Sequence, residues 1–197
     1  MNKIKKVCVF ASSSDFLKPV YYEDAKRLGE LLGKNGFDIV YGGSTLGLMW
    51  ACAQQVKNAG GKIYGVMPQK LVEMGCRTDN CDEFHLTGGM RERKGKMDEI
   101  SDAVIALPGG FGTLEELAEM IVQKQLGYNK KPIVILNTDG FYDNLLRFFD
   151  NMISEKFAGK TSGNLFYVAN SPEDAFEYIK TYIEPVNIPS KTEIYSR

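Results

Sequence analysis

The 197 residues carry 24 Lys and Arg against 25 Asp and Glu, a formal net charge of -1, and 44% of them are hydrophobic. That balance fits one ordinary soluble domain and lacks the basic excess of a general nucleic-acid binder. No apolar run approaches the roughly 18 residues of a membrane helix. The run after the basic start, Val7 to Ala11, is too short for a signal-peptide core, so a cytoplasmic protein is expected.

Strands and helices are expected to alternate along the chain. Lys5 to Ala11 reads as a short apolar strand, broken by Ser12-Ser13-Ser14-Asp15. Pro19 opens a helix to about Asn35, stopped by Gly36. Phe37 to Tyr41 is the second strand. It runs into Gly42-Gly43-Ser44-Thr45-Leu46-Gly47 and a helix ending near Asn58. Lys62 to Met67 is the third strand, and Lys70 to Asp82 reads as polar and irregular. Glu83 to Thr87 is a fourth strand, followed by a helix from Met90 to Ile100. Ala103 to Leu107 is a fifth strand, Leu114 to Leu126 a helix, and Pro132 to Asn137 a sixth strand. Phe141 to Lys156 is helical and Leu165 to Val168 short and apolar. Ser171-Pro172-Glu173-Asp174 caps a last helix to about Ile183.

Continuous apolar strands alternating with helices predict a mostly parallel sheet covered on both faces, a Rossmann-like doubly wound α/β domain. Residues 1–183 are expected to form that single domain, and residues 184–197 a loose C-terminal tail. Cys8 and Cys52 read as small apolar fillers. Cys76, Cys81 and His85, the only histidine, fit no standard spacing of zinc ligands, so no metal is expected.

Three constellations carry chemistry. The first is Pro108-Gly109-Gly110-Phe111-Gly112-Thr113-Leu114-Glu115-Glu116, where a buried strand hands over to a helix. A helix start offers unpaired N–H groups and a positive dipole end to a phosphate. Glycines let the backbone approach an anion closely. The loop is neither a dinucleotide fingerprint nor a Walker loop. A loop that only holds phosphate gains little from Glu115 and Glu116, which point to chemistry beside it. The second is Arg91-Glu92-Arg93-Lys94-Gly95-Lys96, four cations on one predicted helix. Charge runs are usually solvated faces, but this one immediately precedes the strand that carries the glycine loop. Arg91, Lys94 and Lys96 cannot all point one way. The third is Tyr41 to Met49, a second glycine turn after a parallel strand, with Gly42 and Gly43 at its start. Both turns are expected to line the crevice outside the carboxyl ends of the strands.

In this order and at these intervals the three constellations resemble the Lonely Guy family. Its Pro-Gly-Gly-x-Gly-Thr-x-x-Glu signature is met from Pro108 to Glu116. Its Met-His-x-Arg-Lys segment is similar to Met90-Arg91-Glu92-Arg93-Lys94, and its Tyr-Gly-Gly-Gly-x-x-Gly-Leu-Met to Tyr41 through Met49. Val7 to Phe10 with Ser12 to Ser14, Gln125-Leu126-Gly127 and Lys131-Pro132 fall where the family has them. The resemblance covers about residues 5 to 183. It implies a Rossmann-like domain that forms a homodimer or a higher assembly of dimers, without cofactor or metal. The implied activity is hydrolysis of the N-glycosidic bond of a nucleoside 5′-monophosphate, AMP or an N6-modified AMP, to free base and ribose 5-phosphate. Family members were once labelled lysine decarboxylases, but nothing in this sequence marks a pyridoxal phosphate lysine.

Carried onto this chain, the resemblance makes Arg93 and Glu116 the catalytic pair. Lys94, Gly109, Gly110, Phe111, Gly112, Thr113, Leu114 and Glu115 would contact the nucleotide, with the phosphate at Gly112 and Thr113, and Gly42 and Gly43 would line the site. Arg91 stands where the family has His, Trp50 where Gly is common, and Val122-Gln123 where cytokinin-activating members carry Thr-Trp. The Lys70 to Cys76 loop lacks the family's Pro-Arg-Glu, with Glu73 as a substitute. These departures are expected near the base pocket. The alternative reading is a nucleotide-binding module without catalysis; the Arg93 and Glu116 pair favours the enzyme. Leu126, Tyr128 and Phe141-Tyr142 are the apolar surface expected to serve dimerisation.

Overall fold

Seven strands form one sheet: β1 (Lys6–Phe10), β2 (Asp38–Tyr41), β3 (Ile63–Pro68), β4 (Glu83–Thr87), β5 (Ala103–Ala106), β6 (Ile133–Leu136) and β7 (Tyr167–Ala169). The computed structural model describes residues 4–77 and 79–183, so the expected tail 184–197 lies outside the described residues. The strand order is β4-β3-β2-β1-β5-β6-β7, and every neighbouring pair is parallel. β1 to β4 build outward one way and β5 to β7 the other. The direction reverses between β1 and β5, so this is the switch point where open α/β sheets bind ligands.

Alternate strand residues feed two layers. Val7, Val9, Ile39, Tyr41, Ile63, Ala103 and Ile105 pack against α1 (Pro19–Lys34), α2 (Gly47–Asn58) and α7 (Pro172–Thr181). Cys8, Phe10, Val40, Val66, Val104 and Ala106 face the opposite layer, formed by α4 (Met90–Glu99), α5 (Phe111–Gln125) and α6 (Asp143–Ser154). β1, β5 and β6 are apolar throughout because both of their faces are covered. β4 lies at the sheet edge and leaves Glu83 and Leu86 exposed.

The helix boundaries depart from the sequence reading in three places. A short helix, α3 (Gln69–Glu73), opens the stretch expected to be irregular. α5 begins at Phe111 rather than Leu114, because Gly112 accepts helical geometry one turn earlier than composition suggests. α6 begins at Asp143 rather than Phe141. Asp139 and Gly140 adopt φ of 52° and 67°, so the segment from Thr138 makes only a tight 3-10 turn. The Asn137 side chain holds that turn by accepting from the Tyr142 N–H at 2.7 Å. Among the described residues no helix is long and apolar enough to cross a membrane.

Candidate active site

The strand ends at the switch point are tied together before any ligand is considered. The Ser12 N–H donates to the Pro108 carbonyl at 3.1 Å, joining the β1–α1 loop to the β5–α5 loop. The Tyr142 hydroxyl donates to the Leu107 carbonyl at 2.7 Å and fixes the end of β5 from the other layer. Gly109 then turns the chain into α5. A Cβ there would stand 2.1 Å from Thr113 Oγ1 and 2.5 Å from Thr113 Cβ, so only glycine lets Thr113 fold back over the loop.

No side chain caps α5 at Gly110. Leu114 donates back to the Gly110 carbonyl, while the N–H groups of Phe111, Gly112 and Thr113 have no acceptor among the described residues. Nothing lies within 4 Å of a Cβ built on Gly110 or Gly112. Packing therefore does not demand glycine at either position; a ligand approaching the backbone would. Phe111 is 91% exposed at the same helix start.

Glu115 and Glu116 diverge. Glu116 turns inward and is buried with Arg93, whose Nη1 donates to Glu116 Oε1 at 2.5 Å. Arg93 is held from a second side by donating from Nε to the Val66 carbonyl of β3 at 3.1 Å. Gly42 makes room for this guanidinium: a Cβ there would sit 2.9 Å from Arg93 Nη2 and 3.0 Å from Met49 Sδ. Gly43 is buried, with φ of 76°. Glu115 stays exposed and pairs with Lys94, which also pairs with Glu119 at 2.6 Å. Of the basic run, Arg93 and Lys94 thus face α5, while Arg91 is exposed and Lys96 pairs with Glu99. Leu114 is 37% exposed.

The electrostatics follow from burial. Desolvation pushes the Glu116 carboxyl above the usual carboxylate range, although the charge of Arg93 and its hydrogen bond pull it back down. Burial alone would lower the Lys94 ammonium; the hydrogen bonds it donates to Glu115 and Glu119 outweigh it and hold the group above its ordinary value. The Cys8 thiol is pushed up by burial and then by the charge of Glu116, which keeps it protonated. A raised carboxyl beside a fixed guanidinium can exchange a proton with water and can stabilise a developing cation.

The two glycine turns are not equivalent. At α2 the Gly47 N–H donates to Asp15 Oδ1 at 2.9 Å and the Leu48 N–H to the Ser12 carbonyl at 2.9 Å. That helix start is filled from within the chain, so the open N-terminus is the one on α5. Asp15 and Glu119 escaped the sequence reading. The i, i+4 spacing of Glu115 and Glu119 is the signal that could have found the second; the first depends on loop tertiary structure.

The departures expected near the base pocket scatter. Val122 stands six residues from Glu116, about 240° around the helix. It lines an apolar groove of about 270 Å³ between α5 and α6 with Ala118, Ile121, Phe149 and Phe166. Trp50 packs half-buried against the layer of α1 and α2. Glu73 accepts from Gln69 at 2.9 Å on the exposed side of α3. Tyr142, expected at a subunit surface, is 4% exposed and spent on Leu107, whereas Leu126, Tyr128 and Phe141 are 44%, 81% and 43% exposed. His85 lies in β4, 3.0 Å from Glu83.

Residues 49–179 match the family described as "possible lysine decarboxylase". A cytokinin riboside 5′-monophosphate phosphoribohydrolase of Arabidopsis thaliana is 38% identical over 182 residues, 92% of this chain and 85% of that protein. A probable one from Oryza sativa subsp. japonica is 38% identical over 181 residues, covering 92% and 72%. Among solved structures, the molybdenum cofactor binding protein of Rippkaea orientalis superposes with a TM-score of 0.71 at 28% identity, covering 91% of this chain and 97% of that one. The Moco carrier protein of Chlamydomonas reinhardtii, at 24% identity and a TM-score of 0.70 over 90% and 96%, shares the fold.

Proposed function

The chain belongs to the Lonely Guy family, and on that premise we propose that it hydrolyses the N-glycosidic bond of a nucleoside 5′-monophosphate. The observation that carries this reading is the buried Arg93–Glu116 pair beside the uncapped start of α5. The phosphate sits on the N–H groups of Phe111, Gly112 and Thr113, where the helix dipole favours an anion. Its binding energy places the ribose over Glu116. As the C1′–N bond breaks, positive charge develops on the sugar, and the Glu116 carboxylate stabilises it. Water attacks C1′ and gives up a proton to Glu116; the base leaves with the bonding electron pair and takes up a proton. The products are free base and ribose 5-phosphate. Arg93 holds Glu116 in place and in its charged form.

The substrate in this proposal is AMP or an N6-modified AMP. Residues 1–183 act as one catalytic domain in the cytoplasm, as a homodimer closed through the exposed apolar surface that includes Leu126 and Tyr128. A second reading, a nucleotide-binding module without chemistry, draws support from the likeness to a protein named for binding a molybdenum cofactor. One assay separates the two. Base release is followed by chromatography from AMP, N6-prenylated AMP, GMP, CMP and their nucleosides, with wild type and Glu116→Ala. Release from a monophosphate but not its nucleoside, lost in the variant, is the expected result. Tight nucleotide binding with no release from any compound overturns the hydrolase reading.

A further inference from the structure

The β1–α1 loop carries Phe16, 97% exposed, the least covered of the large apolar side chains among the described residues. The backbone on either side of it is fixed. Asp15 is bound to the first N–H of α2. The Ser14 carbonyl accepts from the Tyr22 hydroxyl at 3.0 Å, and the Phe16 N–H itself donates to Ser14 Oγ at 3.2 Å. Beyond it, Lys18 pairs at 3.1 Å with Asp139 in the β6–α6 turn. Leaving β1, the loop therefore touches the β2 side at Gly47 and the β6 side at Asp139. Its Ser12 donates to the Pro108 carbonyl of the β5–α5 loop and accepts from the Leu48 N–H of α2, so the loop lies along the carboxyl edge of the sheet at the switch point, next to the loop that leads into α5. An apolar ring held out by a tethered loop gains nothing for folding. Over a crevice with a phosphate seat it offers a flat face to a flat ligand.

We propose that Phe16 is a substrate-contacting residue whose ring stacks on the nucleobase and sets base preference. The inference rests on the phosphoribohydrolase reading for its substrate. It adds a contact to the base to the phosphate seat at the α5 start and the carboxylate of Glu116. A lone aromatic face under a base gives a loss of about 5- to 150-fold in affinity on truncation to alanine.

The test has two arms. In the first, KM and kcat for AMP and N6-prenylated AMP are measured for wild type, Phe16→Ala and Phe16→Tyr. Phe16→Ala is expected to raise KM by about 5- to 150-fold while kcat moves less than about 3-fold, and Phe16→Tyr to stay near wild type, since it keeps the ring. In the second, AMP and ribose 5-phosphate are titrated calorimetrically into Glu116→Gln and into Glu116→Gln with Phe16→Ala. The added substitution should weaken AMP by the same factor and leave ribose 5-phosphate unchanged. Equal weakening of both ligands, no weakening of either, or a changed oligomer mass in place of a changed AMP affinity overturns the proposal. If wild type cleaves no nucleotide, the hydrolase reading fails, and the second arm still decides whether Phe16 contacts the base.

Discussion

Replacing Arg93 by methionine isolates what the buried pair does for the fold. Arg93 and Glu116 are 7% and 8% exposed, so the carboxylate left behind has no water to replace its partner. Removing one member of a buried ion pair costs about 3–5 kcal/mol. The Val66 carbonyl also loses a donor, about 1 kcal/mol of that total. The loss must depend on pH. Burial already raises the Glu116 carboxyl, and without the arginine it rises further. A folded-state value above the unfolded value of about 4.3 means that the native state binds more protons, so the variant loses stability as pH climbs through that window. Urea unfolding followed by circular dichroism at pH 7 and pH 4, always against wild type at the same pH, reads this directly. The deficit should be about 3–5 kcal/mol at pH 7 and fall toward about 1–2 kcal/mol at pH 4, below the unfolded value of about 4.3, where most of the charge has been removed. An equal deficit at both pH values would refute the argument that uncompensated charge, rather than lost packing, is the cost.

Three further outcomes are expected. Glu116→Gln should lower kcat for the proposed hydrolysis by about 10²- to 10⁴-fold with KM within a few-fold, measured as ribose 5-phosphate release, because the amide keeps the shape and loses the proton acceptor. Gly109→Ala should cost about 1–3 kcal/mol in chemical denaturation and raise the KM for nucleotide, since its new methyl group meets the rigid Cβ of Thr113 and displaces the first turn of α5. Lys124 is 2% exposed and burial pushes its ammonium down to about 8. The penalty is present in full below that pH and disappears as pH rises toward the unfolded value near 10.4. Lys124→Met should therefore raise stability by about 1–3 kcal/mol at pH 7, with the gain in Tm shrinking by pH 10.

The periodicity of apolar strands between helices was enough to reach an α/β doubly wound sheet, because fully covered parallel strands leave an unbroken apolar trace such as Ala103 to Leu107. Strand order was not legible, since it depends on which crossovers share a face. Within α4 the charge density hid the geometry. Arg93 and Met97 are the two buried residues of that helix, one turn apart, yet composition alone shows only a run of cations. The pairing of Arg93 with a glutamate was expected only through family resemblance; that Lys94 serves both Glu115 and Glu119 required the packing of α4 on α5. The substitutions at Trp50 and Val122 looked as if they shared a pocket because both are departures from the same motif set. They lie on opposite faces of the sheet, Trp50 on α2 and Val122 on α5.

The carboxylate of Asp15 on the first amide of α2 has a consequence for the size of the anion admitted. Of the helices that start at the carboxyl edge of this sheet, α2 and α5 follow the two glycine turns, and each start would ordinarily attract a negative group. Closing α2 with an aspartate leaves α5 as the open one of the pair and sets a fixed negative charge at the other. A ligand bearing one phosphate meets only the seat. A ligand bearing a second phosphate toward α2 meets repulsion instead of a dipole. In the proposed reaction this leaves α5 as the phosphate seat of the pair and makes the start of α2 a structural joint.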